Sequence, residues 1–259
     1  SWPRPAAAPT AKQSTRRCKS NLAKPRASKK KGSVWAVIVA GGSSRRMGFN
    51  KLTADLEGRP VLAWSAAAFN DCEAIDAIVL VCAEGAREEF EKIARAAAPK
   101  KLQTVVTGGA HRHLSVAEGL ESVPQDAAIV IVHDAARPLV TCPMIDRCLD
   151  VARNTGAAAC ARPVTDTLKR INDEGFIIES VDRSKLWSVE TPQIFRADLL
   201  RHAYAEIIAT GGHVTDETSA VQAAGAPVAL VETPEWNGKI TFPADLELAR
   251  VIVRGRAKS

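Results

Sequence analysis

The first 32 residues contain no aspartate or glutamate, although they carry ten of the 35 lysine and arginine residues. The rest of the chain therefore holds 25 basic and 29 acidic residues, so the net charge of +6 belongs to the amino-terminal segment. Residues 1–32 are rich in proline, alanine and serine and lack a hydrophobic period, which predicts a disordered extension. A solvated tail or leader is favoured over an arm that contacts nucleic acid. The composition also partly resembles an organelle transit peptide, so a plastid-type leader stays open beside a cytoplasmic location.

Three further absences exclude whole classes of site. The six cysteines include no C-x-x-C pair, which favours reduced thiols of a cytosolic-type compartment over a disulfide framework or a zinc site. No apolar run approaches the length of a membrane span, so no membrane partner is expected. The chain has neither G-x-x-x-x-G-K-[ST] nor G-x-G-x-x-G, the phosphate-loop and dinucleotide fingerprints. The pair His111-x-His113 has no third ligand at a useful spacing and is interpreted as a solvated loop.

What the sequence does contain is an alternation of strand and helix periods. The length of 259 residues and the 46% hydrophobic content suit one α/β domain, which we place at residues 33–255, with a tail at 256–259. This rhythm predicts a Rossmann-like, mostly parallel sheet with helices on both faces and ligands at the carboxyl ends of the strands. Strands are predicted at 34–39, 75–82, 102–107 and 127–133, and helices at 60–69, 86–98, 115–122 and 143–154.

The first candidate site follows the first predicted strand. The apolar run from Val34 stops at Gly41-Gly42, and the next polar residues are serines and cations without a carboxylate. Glycines let the main chain approach a ligand, while arginine and lysine bind phosphate oxygens. This pattern predicts a polyphosphate site, against the alternative of an ordinary turn with solvated arginines. Its polar residues are Ser43, Ser44, Arg45, Arg46 and Lys51.

A second glycine turn, Gly108-Gly109, follows another predicted strand and precedes a helix that we expect Ser115 to head. Glycines here would let a flat base lie against backbone amides, and Ser115 would either bond that base or only cap the helix.

Asp134 ends a strongly apolar strand, where a carboxylate is costly unless it binds a metal, a hydroxyl group or a cation. Asp134 is therefore predicted to bind Mg²⁺ or substrate, and Arg137 to contact an anion or the substrate.

The motifs together resemble a known family. Ala40-Gly41-Gly42-x-x-x-Arg46-Met47-Gly48-x-x-Lys51 is similar to the signature of nucleotidyltransferases that join a sugar or polyol phosphate to a nucleoside triphosphate. With seven later motifs, the chain resembles the 2-C-methyl-D-erythritol 4-phosphate cytidylyltransferase family of the non-mevalonate isoprenoid pathway over residues 34–253. Those motifs are GGxxRxxSVxxGL at 108–120, HDAARP at 133–138, PVTDTLKR at 163–170, VDRSKLW at 181–187, TPQ at 191–193, TDETSA at 215–220 and NGKIT at 237–241.

The resemblance implies roles for individual residues. CTP and a polyol phosphate are the expected substrates and Mg²⁺ the expected cofactor. Arg46, Lys51 and Lys239 would stabilise the triphosphate and the developing charge, and Ala40, Gly41, Gly42, Gly109, Ala110 and Ser115 would bind the nucleotide. Asp134, also the expected metal ligand, would hold the polyol phosphate together with Arg137, Thr167, Arg183, Thr191 and Thr215. The loop before Lys51 is shorter than in many members of the family, where a Pro-Lys pair stands; here Asn50 precedes Lys51.

A turn signal at 172–175 predicts a hairpin within an arm at about 164–187. By resemblance this arm would embrace a second subunit, giving a homodimer in which Thr167 and Arg183 reach the partner's site. A simple edge hairpin is the alternative. Two other functions stay open: a cytidylyltransferase for another polyol phosphate such as ribitol 5-phosphate, and a non-catalytic nucleotide- or RNA-binding protein.

Overall fold

The computed structural model describes residues 32–42 and 47–256. The predicted tail at 1–32 lies almost entirely outside the described residues, and so do Ser43, Ser44, Arg45 and Arg46. The strands are β1 (Val34–Ala40), β2 (Asp55–Leu56), β3 (Arg59–Pro60), β4 (Ala77–Cys82), β5 (Leu102–Thr107), β6 (Ile129–Asp134), β7 (Ala157–Pro163), β8 (Lys169–Ile171), β9 (Ile177–Ser180), β10 (Trp187–Arg196) and β11 (Ala229–Glu232). The helices are α1 (Val61–Asp71), α2 (Arg87–Ala97), α3 (Arg112–Glu121), α4 (Cys142–Thr155), α5 (Ala197–Ala209), α6 (Glu217–Ala223) and α7 (Pro243–Arg256).

Seven strands form the central sheet in the order β11-β7-β10-β6-β1-β4-β5. β1 pairs in parallel with both β4 and β6, and β5 and β11 also pair in parallel with their neighbours. β10 runs antiparallel between β6 and β7. The predicted mostly parallel sheet is therefore confirmed, and the carboxyl ends of β1, β4, β5 and β6 meet at one edge.

Both faces of the sheet are covered, as expected for a parallel sheet. Along β1, Ala36 and Ile38 face a core built with α1, α2, α4 and α7, while Val37 and Val39 face one built with α3, α5 and α6. This alternation follows from the two-residue period of a strand. Each fully buried side chain of the size of Ile38 contributes about 1.5–3 kcal/mol relative to an exposed one.

Helix α4 has a capping residue at each end. α4 begins after Thr141, whose hydroxyl accepts a hydrogen bond from the Met144 amide at 3.4 Å, and ends at Gly156 with φ +92°. Both are ordinary capping devices, since glycine adopts left-handed backbone without strain. The predicted hairpin is present as β8 and β9, which pair with each other and not with the central sheet.

Candidate active site

A cavity of about 260 Å³ lies at the carboxyl ends of β1, β5 and β6. This is where an open α/β sheet is expected to bind its ligand. The cavity brings together nine of the predicted site residues, which come from four separate stretches of sequence. They are Ala40, Gly41, Gly42, Lys51, Gly109, Ala110, Ser115, Asp134 and Lys239.

The first wall is the turn after β1. Gly41 and Gly42 are exposed to the cavity, and Lys51 returns to it after the residues that the structure does not describe. Lys51 is 8% exposed, and its Nζ donates a hydrogen bond to the Ile240 carbonyl oxygen at 2.8 Å. Lys51 thus joins the turn after β1 to the loop that carries Lys239. Arg46, the other predicted cation of this turn, lies outside the described residues.

The second wall is the glycine turn before α3. A Cβ atom on Gly109 would lie 2.5 Å from the Leu114 Cβ, and one on Gly108 would lie 2.5 Å from the Ser115 Oγ. Side chains are therefore excluded by the close approach of the turn to α3. The expectation that Ser115 heads the helix is wrong: α3 begins at Arg112, and His111 is the residue before it. The Ser115 hydroxyl instead lies near the carbonyl oxygens of His111, at 3.1 Å, and Gly109, at 3.3 Å.

The third wall centres on Asp134, the last residue of β6. Its Oδ1 accepts a hydrogen bond from the Arg112 Nε at 3.1 Å, and its Oδ2 accepts one from the Lys239 Nζ at 2.8 Å. The Arg137 Nε lies 3.8 Å from the same Oδ2. Burial opposes ionisation of Asp134, but Arg112, Lys239 and Arg137 outweigh it and hold the pKa of the carboxyl well below its usual value. Asp134 is therefore ionised and fixed in place by three cations.

Arg112 also binds a second carboxylate, Glu217, a residue to which the sequence analysis assigns no role. Its Nη1 and Nη2 donate to the two oxygens of Glu217 at 2.7 Å and 2.9 Å. Glu217 is fully buried and opens α6. Burial would lower the pKa of Arg112, but Glu217 and Asp134 raise it overall. Arg112 stands within a motif and Glu217 within another, yet nothing in either motif indicates that they pair across 105 residues.

A buried network supports the site behind Asp134. The Thr191 hydroxyl accepts a hydrogen bond from the Asp134 amide at 3.0 Å and lies 3.0 Å from the His133 Nδ1. The Asn237 side-chain Nδ2 donates to the Thr191 carbonyl oxygen at 2.7 Å. The backbone carbonyl oxygen of Asn237 accepts a hydrogen bond from the Arg137 Nη1 at 2.9 Å. The Nε of Arg137 is buried and has no hydrogen-bond partner among the described residues. Thr191 and Arg137 thus lie behind or beside the cavity, not on its lining.

Three predicted substrate contacts are not brought to the cavity within this chain. Thr167 and Arg183 are exposed and flank the β8–β9 hairpin, and Arg183 donates a hydrogen bond to the Thr165 carbonyl oxygen. Thr215 is exposed just before α6, with its hydroxyl 3.5 Å from that of Ser219. Their assignment stays a prediction.

The donor set gives a test of the expected Mg²⁺. Within residues 32–42 and 47–256, no group of three or more His, Cys, Asp or Glu side chains is arranged to hold a metal ion. Asp134 is the one carboxylate among the described lining residues, and cations already face both of its oxygens. Mg²⁺ commonly binds through one or two carboxylates together with substrate phosphates. The residues therefore fit a cation that enters on a triphosphate, with Asp134 as at most one of its ligands.

Three imidazoles form a cluster at the margin of the cavity, which His111 also lines. The ring centroids of His111, His113 and His213 lie 4.7–5.7 Å apart. The expectation of a solvated loop is wrong for His113, which lies on α3 and is 7% exposed. Burial and then the neighbouring His213 and His111 lower the pKa of His113.

No helix of the described residues is long and apolar enough to cross a membrane.

The comparisons with known proteins agree on one family. The family model described as 2-C-methyl-D-erythritol 4-phosphate cytidylyltransferase matches residues 34–255. The protein of that name from Desulforamulus reducens is 41% identical, over 87% of this chain and 97% of its own length. The one from Parasynechococcus marenigrum is also 41% identical, over 84% of this chain and 96% of its own length. The crystal structure of the Thermus thermophilus protein of the same name is 36% identical, with a TM-score of 0.70 over 86% of this chain and 99% of that one.

Proposed function

The chain belongs to the 2-C-methyl-D-erythritol 4-phosphate cytidylyltransferase family, and from this premise we propose which of its side chains carry the reaction. The enzyme joins CTP and 2-C-methyl-D-erythritol 4-phosphate to give 4-diphosphocytidyl-2-C-methyl-D-erythritol and pyrophosphate. An oxygen of the polyol phosphate forms a bond to the α-phosphorus of CTP. The bond from that phosphorus to the bridging oxygen breaks, and pyrophosphate leaves with the electron pair.

Because the attacking oxygen is already anionic, no side chain has to remove a proton. The chain has to hold two polyanions together and to stabilise the charge that builds at the α-phosphorus. The observation that carries the proposal is the convergence of Lys51 and Lys239 on one cavity at the carboxyl ends of the strands. Lys51 and Lys239 lie 188 residues apart in the sequence, and the exposed backbone of Gly41-Gly42 lines the same cavity.

We propose that Lys51, with Arg46, binds the triphosphate and that Lys239 stabilises the charge on the α-phosphate. The backbone of Ala40, Gly41 and Gly42 would approach the nucleotide, and Gly109, Ala110 and Ser115 would hold the cytosine. A divalent cation, Mg²⁺ by expectation, would enter with the triphosphate, with Asp134 as at most one of its ligands, and would neutralise part of the phosphate charge.

Asp134 is proposed to hold the hydroxyl groups of the polyol, because it lines the cavity and three cations keep its carboxylate ionised and fixed in place. Arg137 and Thr215 would contribute to the same subsite. Thr191 would act through Asp134, because its hydroxyl already bonds the Asp134 amide.

The central test is pyrophosphate release by purified protein given CTP, Mg²⁺ and a panel of polyol phosphates. We expect turnover with 2-C-methyl-D-erythritol 4-phosphate. Lys51→Ala and Lys239→Ala are each expected to lower kcat/KM by about 100- to 1000-fold, the usual effect of removing one fixed charge or donor from the transition state. Lys92→Ala, at an exposed position of α2, is the matched control. Near-normal turnover in both variants would contradict the roles proposed for Lys51 and Lys239. If the protein consumed ribitol 5-phosphate and not 2-C-methyl-D-erythritol 4-phosphate, ribitol 5-phosphate would be its substrate.

We propose a homodimer formed through the β8–β9 hairpin, which exposes several large apolar side chains although a lone hairpin is only marginally stable. Ile171, Phe176, Ile177 and Ile178 are each 58–67% exposed. Thr167 and Arg183 would then enter the partner's site. Mixing Arg183→Ala with Lys51→Ala subunits should restore up to half of the activity, because one site of each mixed dimer would be intact. No recovery in verified mixed dimers would place each site within one chain.

The compartment is proposed on chemistry alone. Cys72, Cys82, Cys142, Cys148 and Cys160 are free thiols. Free thiols are typical of a reducing, cytoplasmic-type environment. A plastid-type leader at residues 1–32 is compatible with such an environment. Fusion of that segment to a fluorescent reporter, followed by imaging, would distinguish the two locations.

A further inference from the structure

Arg112 makes three hydrogen bonds to two carboxylates that belong to different parts of the fold. Its Nε donates to Asp134 at the end of β6, while Nη1 and Nη2 grip Glu217 at the start of α6. Arg112 itself is the first residue of α3, directly after the turn that carries Gly109 and Ala110. One guanidinium therefore joins β6 and α3, which line the cavity, to the start of α6.

The second of these carboxylates, Glu217, is buried and is bound by Arg112 and Tyr204. Glu217 is 0% exposed, and its Oε1 also accepts a hydrogen bond from the Tyr204 hydroxyl of α5 at 2.9 Å. A buried carboxylate is costly unless it is paired and hydrogen-bonded, and Arg112 with Tyr204 satisfies it. Tyr204 is 3% exposed, and burial followed by Glu217 raises the pKa of its hydroxyl, so Tyr204 acts as a donor at neutral pH.

The start of α6 is also the segment that follows Thr215. Asp216 caps this helix: its Oδ1 accepts hydrogen bonds from the Ser219 amide at 3.0 Å and the Ser219 hydroxyl at 2.6 Å. Glu217 comes next in the chain and is tied to Arg112. The position of this helix end relative to Asp134 is thus set by the planar fork of one arginine, a geometry that lysine, as a point charge, does not reproduce.

We propose that Arg112 is a positioning residue that aligns the polyol-phosphate subsite, made by Asp134 and the start of α6, with the cytosine-binding turn. The inference rests on the proposed function, since it takes Asp134 and Thr215 as contacts of the polyol phosphate. Arg112 is fixed by α3 and Asp134, and Glu217, to which the Tyr204 hydroxyl donates, ties the start of α6 to it. The two halves of the site are then coupled mechanically: a change at Glu217 displaces the polyol subsite, whereas a change at Arg112 displaces both halves.

The test is a comparison of KM values for the two substrates. Tyr204→Phe and Glu217→Gln should raise KM for the polyol phosphate by about 10-fold, as expected for a hydrogen bond to a charged group, and leave KM for CTP within about twofold. Arg112→Lys should raise both KM values and lower kcat by about 10- to 100-fold. Tyr204→Phe removes a single hydroxyl, so it keeps the comparison available if a change at the buried Glu217 prevents folding.

A double variant separates positioning from simple loss of stability. If Arg112 acts through Glu217, Arg112→Lys with Glu217→Gln should raise the polyol-phosphate KM no further than Arg112→Lys alone, because contacting residues are not additive. Arg95→Lys, on the exposed Arg95–Glu91 pair of α2, is the matched control and should match the wild type. Failure of wild type and control to release pyrophosphate would overturn the proposed function. Wild-type KM values in folded Tyr204→Phe and Arg112→Lys would overturn this inference alone, as would equal rises for both substrates in Tyr204→Phe.

Discussion

Replacing His133 should remove a defined part of the acid sensitivity of the fold. His133 is completely buried; its Nε2 lies 3.1 Å from the Arg137 carbonyl oxygen and its Nδ1 lies 3.0 Å from the Thr191 hydroxyl. A carbonyl oxygen only accepts, so Nε2 carries the hydrogen and Nδ1 accepts from Thr191. The neutral ring is thus fully bonded, and a second proton would meet the Thr191 hydroxyl, which already accepts from the Asp134 amide.

Burial lowers the pKa of His133 from 6.5 to about 3, although the adjacent Asp134 opposes this. Between these values the unfolded chain binds more protons than the folded one, so the stabilising contribution is complete above pH 6.5 and is lost as the pH falls towards 3. The slope approaches about 1.4 kcal/mol per pH unit, and integration gives a loss of about 2 kcal/mol between pH 8 and pH 5.

Urea unfolding of wild type and His133→Gln from pH 8 to pH 5 measures this loss, at one protein concentration so that any association contributes equally. The variant loses the ring contact with Phe69, 4.9 Å between centroids, and should be less stable at pH 8. Its free energy of unfolding should nevertheless fall by about 2 kcal/mol less on acidification than that of the wild type. His113→Gln measures the separate contribution of His113, and His202→Gln, at an exposed position, is the control. Parallel pH curves for wild type and His133→Gln would refute the reasoning.

Two glycines offer further tests of packing. A Cβ on Gly119 would lie 2.6 Å from the Val37 Cγ1 and 2.8 Å from the Val81 Cγ2, so Gly119→Ala should lower the free energy of unfolding in urea by about 1–3 kcal/mol. An unchanged value would show that α3 can move off the sheet. A Cβ on Gly109 would meet Leu114, so Gly109→Ala should distort the proposed cytosine turn and lower kcat/KM for CTP by roughly 10-fold or more, the effect of losing a well-made hydrogen bond in a site. Wild-type kcat/KM in steady-state assays would count against that placement of the base.

The elements of the first half of the fold could be predicted closely because each has a clear strand or helix pattern in its own sequence. β5 was expected at 102–107 and is found at Leu102–Thr107, and the expected helix at 86–98 is α2 at Arg87–Ala97. Strand and helix periods are properties of neighbouring residues, which a sequence shows directly. The prediction that α3 starts at Ser115 is wrong because serine commonly caps helices, whereas here Ser115 lies within the first turn of the helix, close to Gly109.

Non-local pairing explains what could not be predicted. Nothing in the period of β10 indicates that it inserts antiparallel between β6 and β7, since that position depends on partners far away in the chain. The motifs predict that Lys51, Asp134 and Lys239 share one site, and all three line the cavity. The motifs do not predict the pair of Arg112 and Glu217, because two charged residues in separate motifs meet only once the helices that carry them are packed.

The sheet also has a second edge, where the amino ends of its parallel strands lie. The link between α2 and β5 turns there, its residues 99 and 100 are exposed, and the predicted site residues that line the cavity lie at the other edge. Exposed loops of this kind tolerate insertions, and the Lys100 amide, which donates to the Asn70 Oδ1 at 3.2 Å, is the contact here that an insertion has to keep. An affinity tag, a fluorophore or a fused domain introduced at residues 99–100 would therefore leave the chemistry undisturbed, and relatives could acquire extra modules at such a turn without altering turnover.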